Sequence, residues 1–279
     1  MTVVSEFLLP DAGEARLAYC DTGSGTPLVL LHGGFLDRSM WDDQVSFLAK
    51  DHRVITPDAR GHGASTVAQG PFRHTDDLAA LLRHLDTGPA VLAGVSMGAA
   101  LAVDTALEHP ELVRALVISG AGTSEPEFRD AWALSIKAEQ ARALAAADAG
   151  RYVEALLQCA AGPRRSLDDV DQDVVRRLRE MTVRTVAKHA GATRDWQVPV
   201  ADTWARASRI AVPVLAVHGD LDADDHIGMA ERLIRAVADG RAVTVEGAAH
   251  YPGMERPDAF NEILAAFLGT LPGADRRPG

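Results

Sequence analysis

Two hydrophobic periods alternate along most of this 279-residue chain. Short apolar runs at 27–31, 53–57, 90–95, 115–119, 212–217 and 242–245 predict strands, and the nearly uninterrupted ones, such as 27–31, predict strands buried on both faces. Between them the spacing becomes helical. Residues 40–50 show it, and so do 74–86, where Leu78, Leu81, Leu82 and Leu85 share one face. Further helices are expected after residue 96, over about 226–239 and over about 257–268. Residues 3–21 predict two strands joined at Pro10-Asp11-Ala12-Gly13, and 21–25 predict a loop. Residues 273–279 predict a frayed tail. Strands alternating with helices imply an α/β fold with a mostly parallel sheet covered on both faces.

The alternation breaks between about 125 and 205. That stretch is rich in Ala, Arg, Glu and Asp, contains no convincing strand, and has helical periodicity in 127–147 and 170–188. The strand–helix pattern closes up again on either side. The expected organisation is therefore a core made of 1–124 and 206–279 with a helical cap, 125–205, inserted over the carboxyl edge of the sheet, where ligands bind in such folds. An independent helical domain is the alternative. No internal repeat or low-complexity tract is present.

Composition narrows the function classes. The formal net charge of −11 and the lack of a Lys/Arg patch argue against a nucleic-acid partner. The first residues lack a basic stretch followed by a signal-length apolar run, and no segment has the length of a membrane span, so the expected address is the cytoplasm without membrane attachment. Cys20 and Cys159 suggest neither a disulfide framework nor a zinc site, and free thiols are expected. The histidines show no metal-ligand spacing and the glycine turn at 94–98 lacks the lysine of a phosphate loop, so neither metal nor organic cofactor is expected. Oligomeric state is not readable here.

Chemistry concentrates in Gly94-Val95-Ser96-Met97-Gly98, where an apolar run leads through a sharp turn into a helical pattern. A turn this tight needs small residues on either side of the serine, and the N-terminus of the helix that follows points partial positive charge at the hydroxyl. Ser96 is thus the candidate nucleophile. A serine needs a base held by a third group. His250 follows the last predicted strand. Asp220, Asp222, Asp224 and Asp225 follow the one before it, and His62 and His218 are rival bases near the same edge. Nucleophile, acid and base then occur in the order expected for such an elbow, with the N–H of Met97 as one oxyanion donor. His32-Gly33-Gly34-Phe35, directly after a buried strand, is the candidate for the other donor.

Together with Leu31-His32-Gly33-Gly34, Asp58-Ala59-Arg60-Gly61-His62-Gly63 and the Gly219…Asp222…His250 ending, this chain resembles the α/β-hydrolase fold superfamily, in the group with a serine nucleophile and a helical cap. The resemblance covers nearly the whole chain outside the cap. It implies that the acid is Asp222, three residues after the strand-end glycine, with Asp224 and Asp225 solvated and capping the next helix. It implies that His62 belongs to a structural turn, that His250 is the base, and that Gly34 is the second oxyanion donor, with Phe35 the neighbour that could be confused with it.

Serine at the apex argues against relatives that open epoxides or displace halide through a carboxylate. Tyr251 stands where carbon–carbon bond hydrolases of the family usually carry tryptophan, and Phe35 where the iminopeptidases usually carry proline. The expected activity is hydrolysis of a carboxylic ester or lactone. Carbon–carbon bond hydrolysis, cofactor-free perhydrolase or haloperoxidase activity, a thioesterase of natural-product biosynthesis and a non-catalytic small-molecule receptor are the alternatives. Phe35, Trp132, Trp196, Trp204 and Tyr251 are candidate lining residues for an uncharged, hydrophobic acyl substrate. For the tryptophans of 125–205, packing onto the core is an equally open reading. Arg164 and Arg165 are expected to be exposed.

Overall fold

The structure, a computed structural model, describes residues 3–10, 12–191 and 194–272. Eight strands form one sheet in the order β1-β2-β4-β3-β5-β6-β7-β8. β1 (Ser5–Leu8) and β2 (Arg16–Thr22) are an antiparallel hairpin, and β2 also runs antiparallel to β4 (His52–Pro57). β3 (Thr26–Leu31), β4, β5 (Ala90–Val95), β6 (Val113–Ser119), β7 (Val214–Gly219) and β8 (Gly240–Val245) are mutually parallel. In register, Val95 lies beside Ser119 and Gly219 beside Val245. The loops leaving β5, β6, β7 and β8 therefore emerge along one edge.

Side chains alternate across the central strands and build two apolar layers. Leu28, Leu30, Val91, Ala93, Val117, Leu215 and Val217 face one way, against Trp41, α1 (Asp42–Leu48) and the C-terminal α10 (Pro257–Leu268). Val29, Leu31, Leu92, Leu116, Ile118 and Ala216 face the other. There they meet α2 (His74–His84), α3 (Met97–Glu108) and α8 (Asp224–Ala236).

Between β6 and β7 the chain forms α4 (Ala131–Ala145), α5 (Ala149–Ala161), α6 (Gln172–Lys188) and the single turn α7 (Thr203–Arg206). The periodicity of 127–147 predicted an earlier start for α4. Asp130 caps that helix by accepting from the N–H of Ala133, and Asp225 accepts from the N–H groups of Arg129 and Asp130, so the residues before 131 are spent on anchoring. α5 was not anticipated, because its buried face is mostly alanine. Val153, Leu157, Leu178 and Met181 belong to the same apolar layer as β3 and β5, so α5 and α6 bury their stripes in the core layer and not in a core of their own. The short α9 (Pro252–Glu255) precedes α10. The tail expected at 273–279 lies outside the described residues. Cys20 and Cys159 are free thiols. Among the described residues no helix is long and apolar enough to cross a membrane.

Candidate active site

Ser96 sits between β5 and α3 with φ 55° and ψ −115°, a backbone conformation that L-residues rarely hold. Two glycines permit it. A Cβ at Gly94 would fall 2.2 Å from the carbonyl carbon of Gly98, and one at Gly98 would fall 2.1 Å from the carbonyl oxygen of Leu31. The strand end and the helix start touch backbone to backbone, and the serine is left at the apex. Its N–H donates to the carbonyl of Ser119 at 2.8 Å, which fixes the elbow to the end of β6.

That bond also locates the candidate base. His250 packs on Gly120, the next residue after Ser119, so tightly that a Cβ there would lie 2.5 Å from Cε1 of the ring. Ser96 and the His250 imidazole thus share the Ser119–Gly120 corner. His250 is buried, and its Nδ1 lies 2.9 Å from Oδ2 of Asp222. An ionised carboxylate only accepts, so Nδ1 carries the proton and the lone pair is on Nε2. Among the described residues no hydrogen bond joins Ser96 Oγ to the ring; catalytic hydrogen bonds often tighten only when substrate is engaged.

Asp222 is buried and its other oxygen is also engaged. Oδ1 accepts from the N–H of Ala223 at 2.7 Å and lies 2.8 Å from Nδ1 of His226. His226 was not singled out in the sequence, although it stands four residues after Asp222 and shares its helix start. Its ring lies 4.1 Å from that of His250, tilted by 35°. Burial alone would push the Asp222 carboxyl up. The charges of His250 and His226, with hydrogen bonds from both rings, outweigh burial and hold it well below the usual carboxylate range. Burial pushes the His250 imidazole below its ordinary value, and His226 pushes the same way against the opposing pull of Asp222. Among the described residues, donor atoms of Asp222, His226 and His250 lie within 4.8 Å of one another, with both rings already hydrogen-bonded to the carboxylate.

The rival residues have other work. Asp220 accepts from the N–H of Gly247. Asp224 is exposed, and Asp225 pins the approach to α4, so neither side chain caps α8, whose cap position is Ala223. His218 meets Thr244, and His62 meets the carbonyl of Arg60. His32 donates from Nδ1 to the Gly33 carbonyl and accepts at Nε2 from the N–H of Ala59. Asp58 accepts from the N–H groups of Arg38 and Ala64 and pairs with the Arg38 guanidinium. These bonds tie the loop after β3 to the loop after β4 and explain why both motifs are polar yet buried.

Gly34 is brought against Met97, with a Cβ at Gly34 lying 3.7 Å from Met97 Cβ. Phe35 follows with φ 61°, closing a turn in which the N–H of Leu36 donates to the Gly33 carbonyl. The Phe35 ring meets Tyr152 of α5 edge-on at 5.5 Å. A small cavity of about 20 Å³ lies behind this loop, lined by His32, Asp58, Arg60 and Met97 among others, with room for a water and none for an acyl group.

Helices from 125–205 reach the same edge. Gly162, at the end of α5, packs against Leu221 and Ala249, the neighbours of Asp222 and His250. Arg177 and Arg184 of α6 pair with Asp43 and Asp37. Arg165, expected to be exposed, is instead half-buried. It binds Glu255, whose other oxygen accepts from the N–H of Ala249. Arg164 is exposed as expected. The expected lining residues separate. Phe35 and Tyr251 adjoin the site, Tyr251 standing edge-on to His250. Trp132 is half-buried on the first turn of α4. Trp196 lies under Arg194, its carbonyl bound to the N–H of Phe72. Trp204 packs in the core layer, its indole N–H donating to the Glu125 carbonyl and its ring covered by Arg232.

A strand–elbow–helix serine, a buried Asp–His pair and two facing backbone segments on one sheet edge define a hydrolase of the α/β type. The chain belongs to the alpha/beta hydrolase fold family, whose profile matches residues 26–257. It is 29% identical to the (E)-2-((N-methylformamido)methylene)succinate hydrolase of Acinetobacter baylyi, over 91% of this chain and 94% of that protein. It is 26% identical to 3-oxoadipate enol-lactonase 2 of the same organism, over 92% and 94%. A thermophilic esterase from Thermogutta terrifontis superimposes with a TM-score of 0.76 at 26% identity, covering 96% of this chain and 98% of that one. The protein is thus an enzyme, and its relatives are hydrolases with esterases and lactonases among them.

Proposed function

We propose that the protein hydrolyses a carboxylic ester or lactone through an acyl-enzyme on Ser96. The observation that carries this reading is the placement of His250, oriented by Asp222, on the same Ser119–Gly120 corner that anchors the elbow. Ser96 Oγ attacks the acyl carbon while its proton passes to Nε2 of His250. The carbonyl oxygen becomes an oxyanion held by the N–H groups of Gly34 and Met97. Such a donor is worth about 3–4 kcal/mol of barrier. Collapse expels the alkoxide, which takes the proton from His250; for a lactone it stays attached as the distal hydroxyl of the acyl group. Water, deprotonated by the same ring, then attacks the ester, and Ser96 leaves with the proton returned. Asp222 stays ionised throughout and stabilises each imidazolium.

The helices of 125–205 serve in this reading as the cap. They bring Tyr152 to Phe35 and the end of α5 to the acid and base loops, which favours an apolar acyl group between the elbow and α5. The enzyme is expected to hydrolyse nitrophenyl esters of short or medium acyl chains, and Ser96→Ala to lower kcat by about 10³-fold or more. A Ser96→Ala enzyme retaining a near wild-type rate removes Ser96 from the nucleophile's role.

A further inference from the structure

The Asp222 carboxylate is divided between two imidazoles. Oδ2 faces His250, and Oδ1 faces His226 across the start of α8. We propose that His226 is a positioning residue for the hydrolytic site, locking the Asp222 carboxylate in the plane that serves His250. This rests on the serine-hydrolase reading given above.

The argument is one of lone pairs and rotation. Asp222 follows the strand-end turn, and its carboxylate can swivel about the Cβ–Cγ bond. The Ala223 N–H holds only one oxygen, and from one side. A donor at His226 Nδ1 gives that oxygen a second partner, which fixes the carboxylate plane and leaves Oδ2 to the base. An acceptor-only carboxylate also sets the tautomer of both rings, with Nδ1–H inward on each. His226 is itself held in place, because Phe128 stands edge-on to it at 5.9 Å and 83°.

The second consequence is electrostatic. Two rings 4.1 Å apart in a buried site resist carrying two positive charges, and only one carboxylate lies between them. The second ring acts with burial to hold the His250 imidazole below its ordinary value, against the pull of Asp222. The other groups around the pair do not replace this. Burial pushes the Cys159 thiol of α5 up to about 12 and the Tyr251 phenol well above its ordinary value, so both stay neutral in the working range. Glu255, beyond Tyr251, is paired with Arg165. On α4 the Lys137 ammonium lies 4.0 Å from the centre of the Phe128 ring, over its face. Asp225, on the first turn of α8, is engaged by the backbone of Arg129 and Asp130.

The test is the pH–rate profile of nitrophenyl ester hydrolysis for the wild type, His226→Leu and His226→Asn, with melting temperatures recorded and Ser96→Ala as blank. The Asn amide places an N–H close to where Nδ1–H stood, but it carries no ring and no charge. His226→Leu is expected to lose on the order of tenfold in kcat with KM little changed, and its acid limb in kcat/KM to move to higher pH. His226→Asn is expected to recover most of the kcat while keeping the displaced limb. If both variants superimpose on the wild-type limb, or if Leu and Asn lose kcat equally while folded, His226 is only a packing group and the proposal fails. If the Leu variant does not fold, the Asn variant decides by its limb alone. A Ser96→Ala enzyme that still turns over overturns the serine-hydrolase reading instead, so the two failures are distinct.

Discussion

The chemistry of single residues depends here on which form burial favours. In the proposed mechanism His250 must be neutral to accept the serine proton, and both burial and His226 hold its pKa below the ordinary 6.5. Protonation of that ring should therefore extinguish kcat/KM only below pH 6.5, with activity rising to a plateau on the alkaline side. A profile of kcat/KM from pH 4 to 8 checks this, and an acid limb with its midpoint above pH 7 would contradict it. Asp222 adds no limb of its own in that range, because its carboxyl is held far below it by the same pair of rings. Motifs in the sequence singled out Ser96, Met97, Asp222 and His250, and the fold gathers all four at one edge of the sheet. His226 escaped because nothing in a helical pattern says which of ten histidines turns toward a carboxylate. The i+4 spacing from Asp222 was the one signal. Trp204 shows the opposite error, since a large aromatic in the inserted segment reads equally well as a pocket wall or a packing wedge, and its bonded indole N–H and core contacts make it the wedge.

At the level of elements, the elbow is a backbone-to-backbone contact before it is a catalytic device. Gly98 approaches the Leu31 carbonyl too closely for any side chain. Gly98→Ala is therefore expected to prevent folding or to lower the melting temperature sharply. Gly228→Ala, within α8 where nothing lies within 4 Å, is expected to stabilise by roughly 0.5–1 kcal/mol through helix propensity. Thermal melts of the two variants separate close approach from simple glycine content, and equal tolerance at both positions would contradict this account of the elbow. The same logic explains what the sequence concealed in elements. The runs at 90–95 and 115–119 were legible because they are buried without a break, whereas α5 was passed over because Ala155, Ala160 and Ala161 share its buried face with Val153 and Leu157, and alanine sits as readily on exposed faces.

Across the whole molecule, parallel strands bring residues separated by more than 150 positions to one edge. The break at 125–205 was legible as an interruption of period. Its packing was not, because beside the apolar stripes of α5 and α6 it is joined to the core by long-range pairs between residues that look merely charged in sequence. Arg165 with Glu255, Arg177 with Asp43 and Arg184 with Asp37 are of this kind. In the proposed reading the assembled edge makes one serine hydroxyl, that of Ser96, nucleophilic. Labelling the folded enzyme with a fluorophosphonate and mapping the adduct by peptide mass spectrometry tests that directly. One adduct per chain is expected, on the peptide that carries Ser96, and Ser96→Ala should remain unlabelled. Adduct formation at another residue, or none in an enzyme that hydrolyses esters, would contradict the site described.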